Sequence, residues 1–461
     1  MRAAVVAAPP LPPSPIAEID ALVRQGCYRC LESAFNAASA AGLREQVYET
    51  TVLLAARSKE LGLDWGPWVA RAHEALPPGS GWTIYLDVVQ GLQDDPLSGD
   101  RDVLLTEEFE RRRPTDVYDR WRAALATAPG SPLVGAYLDL ALACRPRQNP
   151  GREEAIAAVL ARLGDVPLLQ YRAALCGGEA APARLAAVWD ADQAFVDAHL
   201  DLGRFILQNR VQPDYEEGLR HLQAARAAFP ASPVMPSLIA ELHQAREEWP
   251  EALEMFNAVL ALVPTHRDGL LGRTISLSHL LRYDEAVAAA TRLIDLGNWF
   301  IGQAHYWRAW NEFQLKRIPE ARADADEAKA LTVNAPTFVL SGLIEWVQKH
   351  LDPAEEEFQR ALEMDYGQCD ATFYLGGVRA EKRNWRESLA AYQHAHQCFA
   401  LSITVRREAI AKLSATEAGA AASAREIASH QRAIAEAQTR VGEAAQNVAA
   451  IEKFLRESAR N

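Results

Sequence analysis

In PVMPSLIAELHQAREEWPEALEMFNAVLALVPTH, residues Pro233 to His266, one small residue, Ala252, is framed by Trp249 three places before it, Phe256 four places after and Val259 seven after. The frame repeats. Its small residues are Gly218, Ala252, Ala286, Ala321, Ala354 and Ser388, at intervals of 34, 34, 35, 33 and 34. Three places earlier stand Tyr215, Trp249, Tyr283, Ile318, Leu351 and Trp385; four places later stand Leu222, Phe256, Ala290, Ala325, Phe358 and Tyr392. A repeat of this length reads as two antiparallel helices, because a small residue at their crossing lets the backbones approach while aromatic rings fill the space beside it. One such pair cannot bury its apolar faces. Stacked pairs can, so the expected fold is an all-α, right-handed superhelical solenoid of antiparallel helix pairs whose concave face is lined by the first helix of each.

The pattern resembles the tetratricopeptide repeat family. Ala252, Phe256 and Pro264 stand at that family's small, aromatic and closing-proline places, and Leu375-Gly376, in the unit Cys369 to Ser402, at its leucine-glycine pair. The closing proline recurs at Pro230 and gives way to Asn298, Val333, Tyr366 and Ala400 in later units. Six units cover residues 196–402. Residues 16–195 read as divergent helical pairs that continue the array, with helical periodicity broken at Pro77-Pro78-Gly79 and Pro129-Gly130-Ser131-Pro132. The charged stretch 93–115 is expected to be a loop or hinge, with Arg111-Arg112-Arg113 as solvated surface. Residues 1–15, rich in proline, read as a disordered leader.

Residues 403–461 are expected to form a capping helix to about Thr416, a break at Gly419 and a long alanine-rich helix reaching about Ser458. That helix has one apolar edge at seven-residue intervals: Leu413, Ala420, Ile427, Ile434, Val441, Val448 and Leu455. Three places earlier in each heptad stand Ile410, Glu417, Ala424, Gln431, Gln438, Ala445 and Glu452, so half of that seam is polar and a strong coiled-coil dimer is disfavoured. The helix is expected to pack along its own array or a partner, with a weak homodimer as the alternative.

The chain has 461 residues and a formal net charge of −13. A field of that sign repels phosphate backbones, so nucleic acid is not expected as a partner. No run approaches the roughly 20 apolar residues of a membrane-spanning helix, so no integral membrane segment is expected. The expected location is the cytoplasm by default, or outside it if the true start lies upstream.

Catalytic motifs are missing. Nothing matches a nucleophile elbow, a phosphate-cradling glycine loop, a dinucleotide fingerprint or a zincin helix. Cys27 and Cys30 form the one C-x2-C, but no second pair of ligands accompanies it, so no metal is expected. These two are read as buried reduced thiols, with a disulfide as the alternative. The compartment, and with it the state of Cys144, Cys176, Cys369 and Cys398, stays open. Neither catalytic residues nor cofactors are assigned, and the chain reads as a non-enzyme.

The resemblance implies that ligands touch fixed first-helix positions. In the unit Gly302 to Ala335 these are Gln303, Tyr306, Trp307, Trp310, Phe313 and Gln314, and the next two units add Trp346, Phe373 and Tyr374. Aromatic rings at those places suit an apolar or extended peptide. Relatives that grip a C-terminal carboxylate place Lys, Arg and Asn there, so that ligand class is disfavoured. The expected function is a scaffold or adaptor for a protein or peptide partner. Its rivals are a sensor whose peptide or small ligand changes the shape or assembly of the array, and an enzyme with an unrecognised site.

Overall fold

A computed structural model describes residues 14–79, 81–93, 115–144, 152–176, 181–191, 195–208, 215–297, 299–415 and 424–459. The expected leader up to residue 13, the charged stretch 94–114 with its arginine run, and the break at Gly419 lie outside the described residues. Those described form helices and no strand. The chain divides into two compact units, Met1–Met235 and Pro236–Asn461.

The first unit holds α1 (Pro15–Gln25), α2 (Tyr28–Ala40), α3 (Arg44–Glu60), α4 (Gly66–Ala75), α5 (Thr83–Gln93), α6 (Thr115–Leu125), α7 (Pro132–Ala143), α8 (Arg152–Leu163), α9 (Pro167–Ala174), α10 (Ala181–Ala191), α11 (Ala198–Gln208) and α12 (Tyr215–Ala228). Some of its helices, α1 and α7 among them, start where the sequence supplies a cap. Ser14 accepts the Ala17 N–H at 3.3 Å ahead of Pro15, and Ser131 accepts from Leu133 ahead of Pro132. Inside this unit lies a charge. The fully buried Arg57 pairs with Glu60 and Asp197, and its guanidinium sits 4.1 Å over the Tyr171 ring. Tyr137 donates to Glu60 at 2.7 Å and the Tyr28 N–H donates to Asp197 at 2.8 Å. A buried ion survives only when so surrounded, and this one fastens α2, α3, α7 and α9 to the residues ahead of α11.

All six cysteines are paired, Cys27 with Cys30, Cys144 with Cys176 and Cys369 with Cys398. This corrects the reading of Cys27 and Cys30 as reduced thiols. Cys27 caps α2, and the first turn of that helix brings the Cys30 sulfur within bonding reach of it.

Five further helix pairs are α13 (Val234–Ala245) with α14 (Trp249–Leu262), α15 (Arg267–His279) with α16 (Tyr283–Leu296), α17 (Ile301–Gln314) with α18 (Ile318–Leu331), α19 (Ala335–Val347) with α20 (Leu351–Met364), and α21 (Cys369–Glu381) with α22 (Trp385–Leu413). This is the stack of antiparallel helix pairs that the repeat predicts. Each second helix begins on the residue three places before the small one, and α12 keeps the same register at Tyr215. Ala252, Ala286, Ala321, Ala354 and Ser388 have no exposed surface. Rings meet glycines across the pairs: a Cβ on Gly342 would stand 2.7 Å from the Phe358 ring, and one on Gly376 3.0 Å from Tyr392.

The turn inside each pair has one shape. Glu247, Leu281, Lys316, Lys349 and Arg383, each two residues before a second helix, have φ between 57° and 64°. The next N–H reaches back five residues, from Glu248 to the His243 carbonyl at 2.8 Å and from Arg282 to the Leu277 carbonyl at 2.9 Å. That bond satisfies a carbonyl at the end of the first helix and requires the left-handed residue before it.

The sixth pair differs from expectation at its end. The second helix and the expected cap are one helix, α22, of 29 residues. α23 (Ala424–Ser458) packs against it, with Ile434, Ala437 and Val441 on Ala395, Phe399 and Ile403. Buried in α23 are Ala437, Ala444 and Ile451, three residues after Ile434, Val441 and Val448. The companion positions thus lie downstream of the apolar edge, not upstream, and the seam is apolar on both sides. The half-polar seam inferred from Gln431, Gln438 and Glu452 is corrected accordingly.

Candidate ligand-binding face

The first helices of the second unit place the nine expected contact residues in three groups. On α17, Tyr306, Trp310 and Phe313 lean on a cluster of Ala309, Ala321, Ala325, Leu340 and Ile344. Burial pushes the Tyr306 hydroxyl up to about 12. These three rings largely pack the junction of α17, α18 and α19. Gln303 is exposed and Gln314 half-buried.

Trp307 turns another way. Its half-buried ring lies 5.4 Å from Tyr306 and 5.9 Å from His279. His279, exposed at the end of α15, stacks on Trp249 at 3.8 Å with the two ring planes parallel within 1°. Desolvation where the ring lies against Trp249 lowers the His279 pKa, against the pull of the nearby Glu247 carboxylate. Trp249, His279, Trp307 and Tyr306 therefore form a continuous aromatic shelf over α14, α15 and α17.

The third group lies on α19 and α21. The Trp346 ring is 6.1 Å from Tyr374, and its indole N–H donates to Glu381 at 3.0 Å. Phe373 lies 6.0 Å from Tyr374 and joins the cluster between α22 and α23. Arg440 of α23 sits 5.2 Å over Phe373 and 5.8 Å over Tyr374, and donates to the Tyr374 hydroxyl at 3.3 Å. Phe373 and Tyr374 are thus covered by Arg440 of the same chain.

Charge under the shelf is held tightly. Burial pushes the Asp324 carboxyl up, but hydrogen bonds from Arg308 and His305 outweigh it and hold the group low. Glu312 beside it is pushed up to about 7, by burial first and then by the Asp324 charge. The four groups lie within one helix pair and are too enclosed to meet a ligand.

The sequence reading named Trp307 and Tyr306 but not the other two rings beside them. Trp249 served there only as a register mark, and no spacing rule singles out His279 or Arg440. Among the described residues no group of three or more His, Cys, Asp or Glu is placed to hold a metal ion, and no helix is long and apolar enough to cross a membrane.

No family model matches the chain, and no curated protein matches it. Among solved structures it is similar to YrrB, a tetratricopeptide repeat protein with an unusual peptide-binding site, at 20% identity over 38% of this chain and 91% of that one, with a TM-score of 0.32. It is also similar to PilW, a type IV pilus biogenesis factor, at 16% identity over 45% of this chain and 91% of that one, TM-score 0.38. A third is a tetratricopeptide repeat protein from Parabacteroides merdae, at 13% identity over 57% of this chain and 93% of that one, TM-score 0.40.

Proposed function

We propose that this chain is a non-enzymatic scaffold that holds a partner polypeptide on the first-helix face of its second unit, at the shelf of Trp249, His279, Trp307 and Tyr306. The observation that carries the reading is Trp307, a half-buried ring on a first helix that lies beside Tyr306 and His279, while its helix-mates Trp310 and Phe313 serve the core. Rings offered this way supply contact area at small entropic cost, which suits an extended or helical segment. Gln303 and Gln314, at the two ends of α17, complete the face; Trp346, Phe373 and Tyr374 extend it toward α23. Trp307→Ala is expected to weaken capture of a partner from the native source while the helical spectrum and Tm stay at wild-type values. Undiminished capture by the variant rejects the site.

A second observation bears on where the scaffold works. Complete pairing of six cysteines supports an oxidising compartment in place of the cytoplasmic expectation. Protein from its native source, unfolded without reductant, is expected to show no reactive thiol, and six after reduction. Free thiols before reduction contradict that location.

A further inference from the structure

Two arginines of α23, Arg432 and Arg440, reach carboxylates on the repeat helices. Arg440 has the Asp370 carboxylate 3.7 Å from its Nε, with Phe373 and Tyr374 beneath its guanidinium. Two turns earlier, about 12 Å along the helix, Arg432 pairs with Glu247 at 3.0 Å. Glu247 stands two residues before Trp249, at the edge of the shelf. At Arg440 a carboxylate and ring faces together make a cation seat, since the charge meets the acid and the rings attract it; at Arg432 the Glu247 carboxylate alone makes it. Both seats are filled from within the chain.

The two ends of α23 are held differently. From Ile434 onward it is anchored, by Ile434 against Ala395, Phe399 and Ile403 and by the buried Ala437, Ala444 and Ile451. Among the described residues of the arm from Ala424 to Ala433 none is buried, and its ion pair is open to water on both sides, with Arg432 55% and Glu247 40% exposed. A pair so placed is weak and salt-sensitive. The arm can lift while the anchored part stays.

We propose that the partner's segment carries an arginine that takes the Glu247 seat in exchange for Arg432, so that the N-terminal arm of α23 is an internal competitor gating the Trp307 shelf. This rests on the scaffold reading given above. The stated occupant is an amphipathic segment with arginine at its edge, because the chain's own segment at that place has that chemistry. Occupancy by the arm lowers the apparent affinity for an outside segment in proportion to the closed fraction.

The test uses the full-length protein and a fluorescent peptide of residues 424–445. Arg432→Ala in the protein is expected to tighten peptide binding about two- to five-fold relative to wild type, the range an exposed pair supplies, and adding Glu247→Gln is expected to erase that gain. A peptide whose own Arg432 is replaced by alanine is expected to gain nothing from the open protein. Hydrogen exchange in Arg432→Ala should rise over residues 424–433 and stay unchanged over 434–451. Equal affinity for wild type and Arg432→Ala, or a gain that survives Glu247→Gln, overturns the gate. So does light scattering that shows Arg432→Ala dimerising, which makes a second copy the occupant. Native partner capture that depends on Trp307 but ignores Arg432 rejects the gate alone, whereas capture that ignores Trp307 rejects the scaffold reading.

Discussion

Arg57 is where a single side chain carries the most. Fully buried between Asp197, Glu60 and the Tyr171 ring, it is stabilising only as a set. Arg57→Met keeps the volume but strands Asp197, itself 2% exposed, and is expected to cost about 3–5 kcal/mol in urea unfolding. A loss below about 1 kcal/mol shows that the network is not formed. Glu312 predicts a pH effect. Its folded pKa, raised to about 7 from 4.5, means that the fold holds a proton the unfolded chain releases, so its contribution is present below pH 4.5 and lost as pH rises to 7. Glu312→Gln should therefore raise Tm at pH 8 and leave it unchanged at pH 4.5. A variant that gains as much at pH 4.5 as at pH 8 refutes the shift. Neither residue was legible in the sequence. Arg57 sits in a helix without a marked apolar face, and its partner Asp197 is 140 residues away.

At the scale of helices, the register was legible because packing imposes it: only a small residue fits the crossing, so Ala252, Ala286, Ala321, Ala354 and Ser388 mark themselves. Gly342→Val should place a branched side chain against the Phe358 ring and cost about 1–3 kcal/mol. An unchanged Tm means that the pair is loosely packed. The left-handed turns were illegible, since glycine occupies none of the five positions. Leu281 is the cleanest test, 70% exposed with φ of 59°, so that no buried contact opposes the strain. Leu281→Gly relieves left-handed strain against a larger unfolded-state entropy, and a net gain of about 0.5–1 kcal/mol is expected. Destabilisation by that substitution contradicts the turn geometry. The tail was half legible. Its seven-residue edge was seen, but the companion seam of Ala437 and Ala444 is built of alanines, which composition cannot separate from the exposed Ala435 and Ala449.

Across the whole molecule, local rules reached as far as the repeat and no further. Disulfides joining residues 29 and 32 positions apart depend on how neighbouring helices pack, which no spacing motif reports. Which first-helix rings pack the core was not legible, because the same positions that line a groove also fill a junction between helices. Only the packing separates Trp307 from Trp310. The central claim is that a partner polypeptide is held at the shelf around Trp307. Calorimetric titration of the native partner into wild type and into Trp307→Ala, each first shown to have the same Tm, tests it most directly. The account predicts at least about a ten-fold loss of affinity in the variant, as for an aromatic hot spot. Equal affinity for the two proteins contradicts it.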